Sequence, residues 1–228
     1  GAGLLEKVPR DTSIILDGRS GEMIVAPDDE TIARYKNIQG QRVSQLLNLK
    51  AAAEKDAHTA NGRRVEVSAN VGEAASARDA VEHGAEGIGL LRTEFLYLED
   101  TQPPSEERQY RIYREIFEAM SGRPVIVRTL DIGGDKPPPY LAFPNEMNPF
   151  LGWRAIRISL DEPELFKTQL RAILRAAVGH HARIMFPMVS DLDELRRARE
   201  IVETVKRDLE LASVEFAADV PVGIMVET

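Results

Sequence analysis

Two arginines and a glutamate occupy matching points in three apolar runs. Leu90-Leu91-Arg92-Thr93, Ile126-Val127-Arg128-Thr129 and Met225-Val226-Glu227-Thr228 each read apolar, apolar, charged, threonine. Apolar runs of this length, separated by helical stretches, are the pattern of buried parallel strands. A charge at the C-terminal end of such a strand faces the edge where α/β proteins bind ligands. Arginine suits phosphate and carboxylate because its planar fork donates two parallel hydrogen bonds. If the strands of Arg92 and Arg128 are neighbours, about 4.8 Å apart, both forks reach one small dianion. Two arginines in a half-buried mouth need anions to offset them. The expected ligand therefore carries more than one negative group. A lone strand-end arginine is more often a surface ion pair; the repeated pattern favours a site.

Other residues extend this set. Glu227 suits Mg²⁺, which takes one or two carboxylates plus substrate oxygens, although a single glutamate is as readily a solvated side chain. Asp131-Ile132-Gly133-Gly134-Asp135-Lys136 puts two glycines after a strand, where the backbone approaches a ligand closely, and Lys136 adds positive charge. This is not a phosphate-binding loop of the Gly-x-x-x-x-Gly-Lys kind, and a tight turn into the prolines explains it equally well. Asn70 ends the first strand of the series and either lines the same mouth or turns the chain. Arg154, next to Trp153, is a further possible lining residue, with a helix start as the plainer explanation. The four histidines, His58, His83, His180 and His181, have no ligand-like spacing. They read as structural or exposed.

Composition narrows the class. The chain has 228 residues, 43% hydrophobic and 29% charged, with a net charge of −8. That balance belongs to an ordinary globular domain and argues against nucleic-acid binding. No cysteine is present, which excludes disulfides and thiolate metal sites. No apolar run approaches a membrane span, and no signal-peptide core is present. A cytoplasmic protein without membrane insertion is expected.

The elements that must position these residues follow a clear rhythm. Ser13–Asp17 and Met23–Val25 read as two short strands around a turn. Asp28-Asp29-Glu30 supplies an N-cap and an acidic first turn. Ile32, Tyr35, Ile38, Val43, Leu46, Leu49 and Ala53 then mark an amphipathic helix, single or broken near Gly40. From Arg63 onward, strand and helix alternate. Strands are expected at residues 65–71, 87–95, 124–130, 183–188 and 221–228. Helices fall at 73–83, 106–120 and 191–211, and one or two lie within 153–177, where Asp161-Glu162-Pro163 marks a break. Such alternation predicts a parallel sheet. A complete (β/α)₈ barrel needs about 250 residues, so the fold expected is α/β, a partial TIM barrel with five of eight strands.

The longer motifs carry a resemblance. Gly87-Ile88-Gly89-Leu90-Leu91-Arg92-Thr93-Glu94-Phe95 resembles the second barrel strand of enzyme I of the bacterial phosphotransferase system. That family is the phosphoenolpyruvate–protein phosphotransferases. Val127 to Lys136 resembles its third-strand segment, and Asn148 to Arg157 and Arg183 to Met188 continue the likeness, which covers nearly the whole chain. It implies that residues 1–30 are the C-terminal remnant of a swivelling phosphohistidine domain and 31–61 a helical linker. Residues 62–228 would be the phosphoenolpyruvate-binding TIM barrel, truncated after strand 5. Arg92 and Arg128 match the family's phosphoenolpyruvate-binding arginines, and Glu227 matches a ligand of Mg²⁺. The resemblance also implies transfer of a phosphoryl group through an enzyme histidine to a phosphocarrier protein, in sugar uptake. It implies a homodimer of the full-length enzyme.

The chain departs from that family in what it lacks. No histidine here lies in a Gly-Gly-x-x-Ser-His segment, and the sixth-strand Asn-Asp pair, a later arginine and the cysteine proton donor are all missing. The 228 residues alone are therefore expected to be inactive. Related phosphoenolpyruvate dikinases and synthases differ after the second arginine. From another class, a non-catalytic interaction module would keep the surface without the chemistry.

Overall fold

Local signals in the N-terminal stretch are realised one by one in a computed structural model, which describes residues 3, 8–98, 101–133, 138–143 and 146–228. The chain divides into two units, Gly1–Lys55 and Asp56–Thr228. In the first, strands β1 (Ile14–Asp17) and β2 (Glu22–Val25) pair antiparallel, from Ile14 opposite Val25 to Asp17 opposite Glu22. Helix α1 (Asp29–Ala53) follows, and Asp28 caps it by accepting from the Thr31 N–H at 2.8 Å. It is one helix, unbroken at Gly40, because a lone glycine costs only about 1 kcal/mol in a helix interior. None of its residues is buried.

The second unit opens with a two-residue ribbon, β3 (Ala57–His58) against β4 (Arg64–Val65). Strand β5 (Ser68–Val71) then enters the main sheet. The single strand expected at 65–71 is thus split in two. The two pieces have different partners, β4 pairing back on β3 and β5 on β6, and between them Val67 is held by Glu86, whose carboxylate takes the Val67 N–H at 3.1 Å and whose own N–H donates to the Val67 carbonyl at 2.9 Å. After β5 come α2 (Ala74–Glu82), β6 (Gly87–Leu91), α3 (Phe95–Leu98), α4 (Glu106–Ala119) and β7 (Val125–Arg128). Next are α5 (Ile156–Asp161), α6 (Pro163–Ala176), β8 (Ala182–Phe186), α7 (Leu192–Leu211) and β9 (Val222–Ile224). β6 is shorter than expected because Thr93 and Glu94 start the turn of α3, their carbonyls accepting from Leu96, Tyr97 and Leu98. The break at Asp161-Glu162-Pro163 falls where expected, with proline in the first turn of α6.

The main sheet has five strands in the order β5-β6-β7-β8-β9, and every neighbouring pair is parallel. The fold is α/β, with helices in each crossover. Alternate residues of β8, Ala182, Ile184 and Phe186, are buried, whereas Arg183 between them is exposed. Phe166 of α6 meets Phe186 edge-on at 5.8 Å, and burying each such ring contributes about 1.5–3 kcal/mol. The core continues through Tyr113, Ile116 and Phe117 of α4 and Leu170, Ile173 and Leu174 of α6. Ser105 caps α4, and Asp191 caps α7 by accepting from the Asp193 and Glu194 N–H groups at 2.8 Å. These caps fix where each helix begins and so how its strand ends are braced. Among the described residues, no helix is long and apolar enough to cross a membrane.

Candidate functional site

The strand register sets the site. Leu91 lies beside Val127, so Arg92 and Arg128 are the next residues of two adjacent strands. The Thr93 hydroxyl donates to the Arg128 carbonyl at 2.9 Å, holding the two ends together. The Arg128 side chain is only 10% exposed and points into a ring of protein acceptors. Its Nη2 meets Glu94 Oε1 at 2.8 Å and its Nη1 meets Asp131 Oδ2 at 3.1 Å. Nη1 also lies 3.9 Å from Met225 Sδ, beyond β8 and past the end of β9. Asp131, itself 7% exposed, gives its other oxygen to Arg154 Nη2 at 2.7 Å. The result is a charged chain, Glu94–Arg128–Asp131–Arg154, across the C-terminal ends of the strands. Such burial is tolerable only because each charge faces an opposite one.

The remaining sequence-derived residues sit as follows. Arg92 is exposed, and its side chain has no partner among the described residues. Asn70 is exposed on β5, in register with Leu90. Glu227 is exposed, and its Oε1 accepts from the Met188 N–H at 2.8 Å. Met188 takes a left-handed φ of 56°, an unfavourable state for a long side chain, which that bond helps to hold. Lys136 lies outside the described residues. The structure thus joins Arg128 to Arg154 through Asp131 and sets Glu227 two residues beyond Met225.

Arg154 is placed by its loop. The Ala155 N–H donates to the Ile132 carbonyl at 3.1 Å, laying residues 153–155 against 131–133. Gly133 has φ +137°, and a Cβ there would run into Arg154 Cβ. Only glycine fits that conformation and that approach. The Trp153 ring is pinned by its Nε1–H, donating to Asp161 at 2.7 Å, and by the edge-on Phe143 at 5.2 Å.

Sequence reasoning missed the roles of Glu94 and Asp131. It assigned the anions that offset buried arginine to a ligand, whereas for Arg128 two come from the chain itself. A signal was available: each acid stands within three residues of a strand-end arginine. Spacing alone does not say which acid turns toward which arginine.

Unpartnered atoms mark the same place. Five buried side-chain polar atoms lack a hydrogen-bond partner among the described residues: Glu94 Oε2, Arg128 Nε, Thr129 Oγ1, Arg154 Nε and His180 Nε2. The first four belong to this charged cluster or adjoin it. Native proteins rarely leave such atoms unpaired without water or ligand, so the cluster is suited to a polar guest. Arg92 adds an exposed cation beside it, with no partner among the described residues. For a metal, no grouping of three or more histidine and acidic side chains occurs among the described residues. Glu227 offers one carboxylate, with a hydrogen bond recorded at only one oxygen. One carboxylate fits Mg²⁺, whose remaining ligands are commonly water and substrate oxygens.

Comparison with known proteins identifies the family. The family profile described as "PEP-utilising enzyme, PEP-binding domain" matches residues 47–228. A protein of Staphylococcus carnosus named phosphoenolpyruvate-protein phosphotransferase is 46% identical over 98% of this chain and 39% of its own length. One of the same name from Priestia megaterium is 43% identical over the same shares. The chain therefore spans only 39% of the length of these relatives. A solved structure of 2,3-dimethylmalate lyase matches at 12% identity and a TM-score of 0.31 over 78% of each chain, too slight a likeness to bear on the fold. From the profile match and these relatives, the chain belongs to the PEP-binding domain family of the PEP-utilising enzymes.

Proposed function

We propose that this chain binds phosphoenolpyruvate through Arg92 and Arg128, as the substrate-binding part of a phosphoenolpyruvate-protein phosphotransferase. The observation that carries the reading is the pairing of an exposed Arg92, without a partner among the described residues, with a buried, braced Arg128 on adjacent strand ends. Phosphoenolpyruvate has a phosphate and a carboxylate on a short carbon unit, which suits two cations set side by side. Arg128 still has N–H groups left over from its two carboxylates, including the unpartnered Nε–H. Arg154, Asn70 and Lys136 are proposed to line the same mouth. Glu227 would hold Mg²⁺ there, and the ion, when bound, would offset charge on the phosphoryl oxygens. Phosphoryl transfer depends mainly on positioning and charge stabilisation, and this chain's arginines supply both.

In this reading the sheet is five strands of a (β/α)₈ barrel, supported by its sequential all-parallel order. Residues 1–30 are the tail of a phosphohistidine domain, 31–61 the linker and 62–228 the barrel. The phosphoryl group passes to a histidine not in this chain and then to a phosphocarrier protein, in a cytoplasmic, homodimeric enzyme serving sugar uptake. The names of the relatives and the profile match support this assignment. Calorimetric titration of the 228-residue chain with phosphoenolpyruvate and Mg²⁺ tests it. Heat that disappears in Arg92→Ala is expected. No heat, or heat indifferent to that substitution, would refute the assignment.

A further inference from the structure

Behind the two arginine-bearing strand ends runs a buried polar chain that none of the roles above employs. Gln169 on α6 and Gln109 on α4 are fully buried, and Thr93 is 1% exposed. Gln169 Nε2 donates to Thr93 Oγ1 at 3.0 Å and to the Tyr113 hydroxyl at 3.2 Å. Its Oε1 accepts from the Leu130 N–H at 2.9 Å. Thr93 in turn donates to the Arg128 carbonyl. Tyr113 and Tyr97 both donate to Gln109 Oε1, at 3.1 and 3.0 Å, and Gln109 Nε2 donates to the Pro104 carbonyl at 3.0 Å. Burial raises the pKa of both phenols, so they remain donors.

Position gives the chain its meaning. Leu91 and Val127 are the last residues of β6 and β7 that pair in register. Past them the ladder stops, and side chains take over its work. Gln169 is fastened at once to the residue after Arg92 and to the second residue after Arg128. Its amide has one workable orientation, since a flip would set its NH₂ against the Leu130 N–H. An apolar side chain of the same shape would fill the space equally well but would tie neither strand end. We propose that Gln169, acting through Thr93, is a positioning residue that fixes the spacing of Arg92 and Arg128 and so sets the affinity of the anion site. The proposal rests on the reading that those two arginines bind phosphoenolpyruvate.

The test is phosphoenolpyruvate titration, with Mg²⁺, of Gln169→Met, Thr93→Val and Thr93→Ser at a temperature where each is folded. Leu209→Ala, buried on α7, serves as a control for lost stability alone. Gln169→Met and Thr93→Val should each raise Kd by about tenfold, less than the roughly hundredfold that a misplacement of about 1 Å can cost. Thr93→Ser keeps the hydroxyl and should stay within about twofold of the parent. Leu209→Ala should lower Tm without moving Kd. If Gln169→Met fails to fold, the valine and serine variants of Thr93 decide between them. Parental affinity in Gln169→Met and Thr93→Val, or equal loss in Thr93→Ser, would overturn the proposal while leaving the binding assignment intact. A parent chain that gives no heat would overturn both.

Discussion

Arg92 and Arg128 share a motif yet live in different environments, and their replacements should separate accordingly. Arg128→Met would leave the half-buried Glu94 without its cation and Asp131 with Arg154 alone. Removing one member of a buried ion network costs roughly 3–5 kcal/mol. Arg92→Met removes an exposed side chain with no partner among the described residues and should change stability by no more than about 0.5 kcal/mol. Urea unfolding of the two variants checks this, and equal losses would mean that the Glu94–Arg128–Asp131 contacts do not hold in solution. At Gly133, alanine would bring a Cβ against Arg154 at φ +137°. Strain of this kind costs about 1–3 kcal/mol; unfolding with the parent's midpoint would contradict it. The arginines were visible in the sequence because an apolar run ending in charge is a one-dimensional pattern. The aim of Glu94 and Asp131 was not, because it depends on how the turns after β6 and β7 fold back.

Helices α4 and α6 are joined by charge as well as by their apolar faces. Glu106 pairs with Arg171 at 2.7 Å and Arg175 at 2.6 Å, and the Arg175 guanidinium lies 4.5 Å from the centre of the Tyr110 ring. Burial alone would raise the Glu106 pKa, but hydrogen bonds and charge from the two arginines outweigh it and hold the carboxyl below its ordinary value. A depressed carboxyl stabilises the fold fully above its unfolded pKa, about 4.3, and loses that contribution as pH falls through the folded value. Thermal melts of the parent and Glu106→Gln should therefore differ most near neutrality and converge on acidification. A constant gap down to pH 3 would show that Glu106 does not act through its charge. The helices themselves were legible: proline after Asp161-Glu162, Ser105 and Asp191 are boundary signals that act within one turn. The split between β4 and β5 was not, since it depends on pairing: β4 turns back on β3, whereas β5 joins β6 further along the chain.

On the scale of the molecule, the sheet has two free edges. Among the described residues, no strand pairs with the outer side of β5 or of β9. Unpaired edges invite pairing with other chains, and on β8 Arg183 is exposed. The isolated 228-residue chain should self-associate, so light scattering after size exclusion should give a mass above the 25.4 kDa of one copy. A well-behaved monomer at that mass would contradict the expectation.

The sequence by itself determined the α/β alternation, the approximate limits of α2, α4, α6 and α7, and the placement of Arg92 and Arg128 at the ends of adjacent strands. Each of these follows from periodicity and capping, which act between residues a few positions apart. Glu227 lies three residues past β9, which is shorter than expected. Tertiary structure alone decided that Arg128 is clasped by Glu94 and Asp131, and that Asp131 links it to Arg154. It alone brought Gln169 behind both strand ends, a contact spanning 76 residues to Thr93. Those partners are chosen by which helix packs over which pair of strands, and that choice emerges only when the whole apolar core is buried at once.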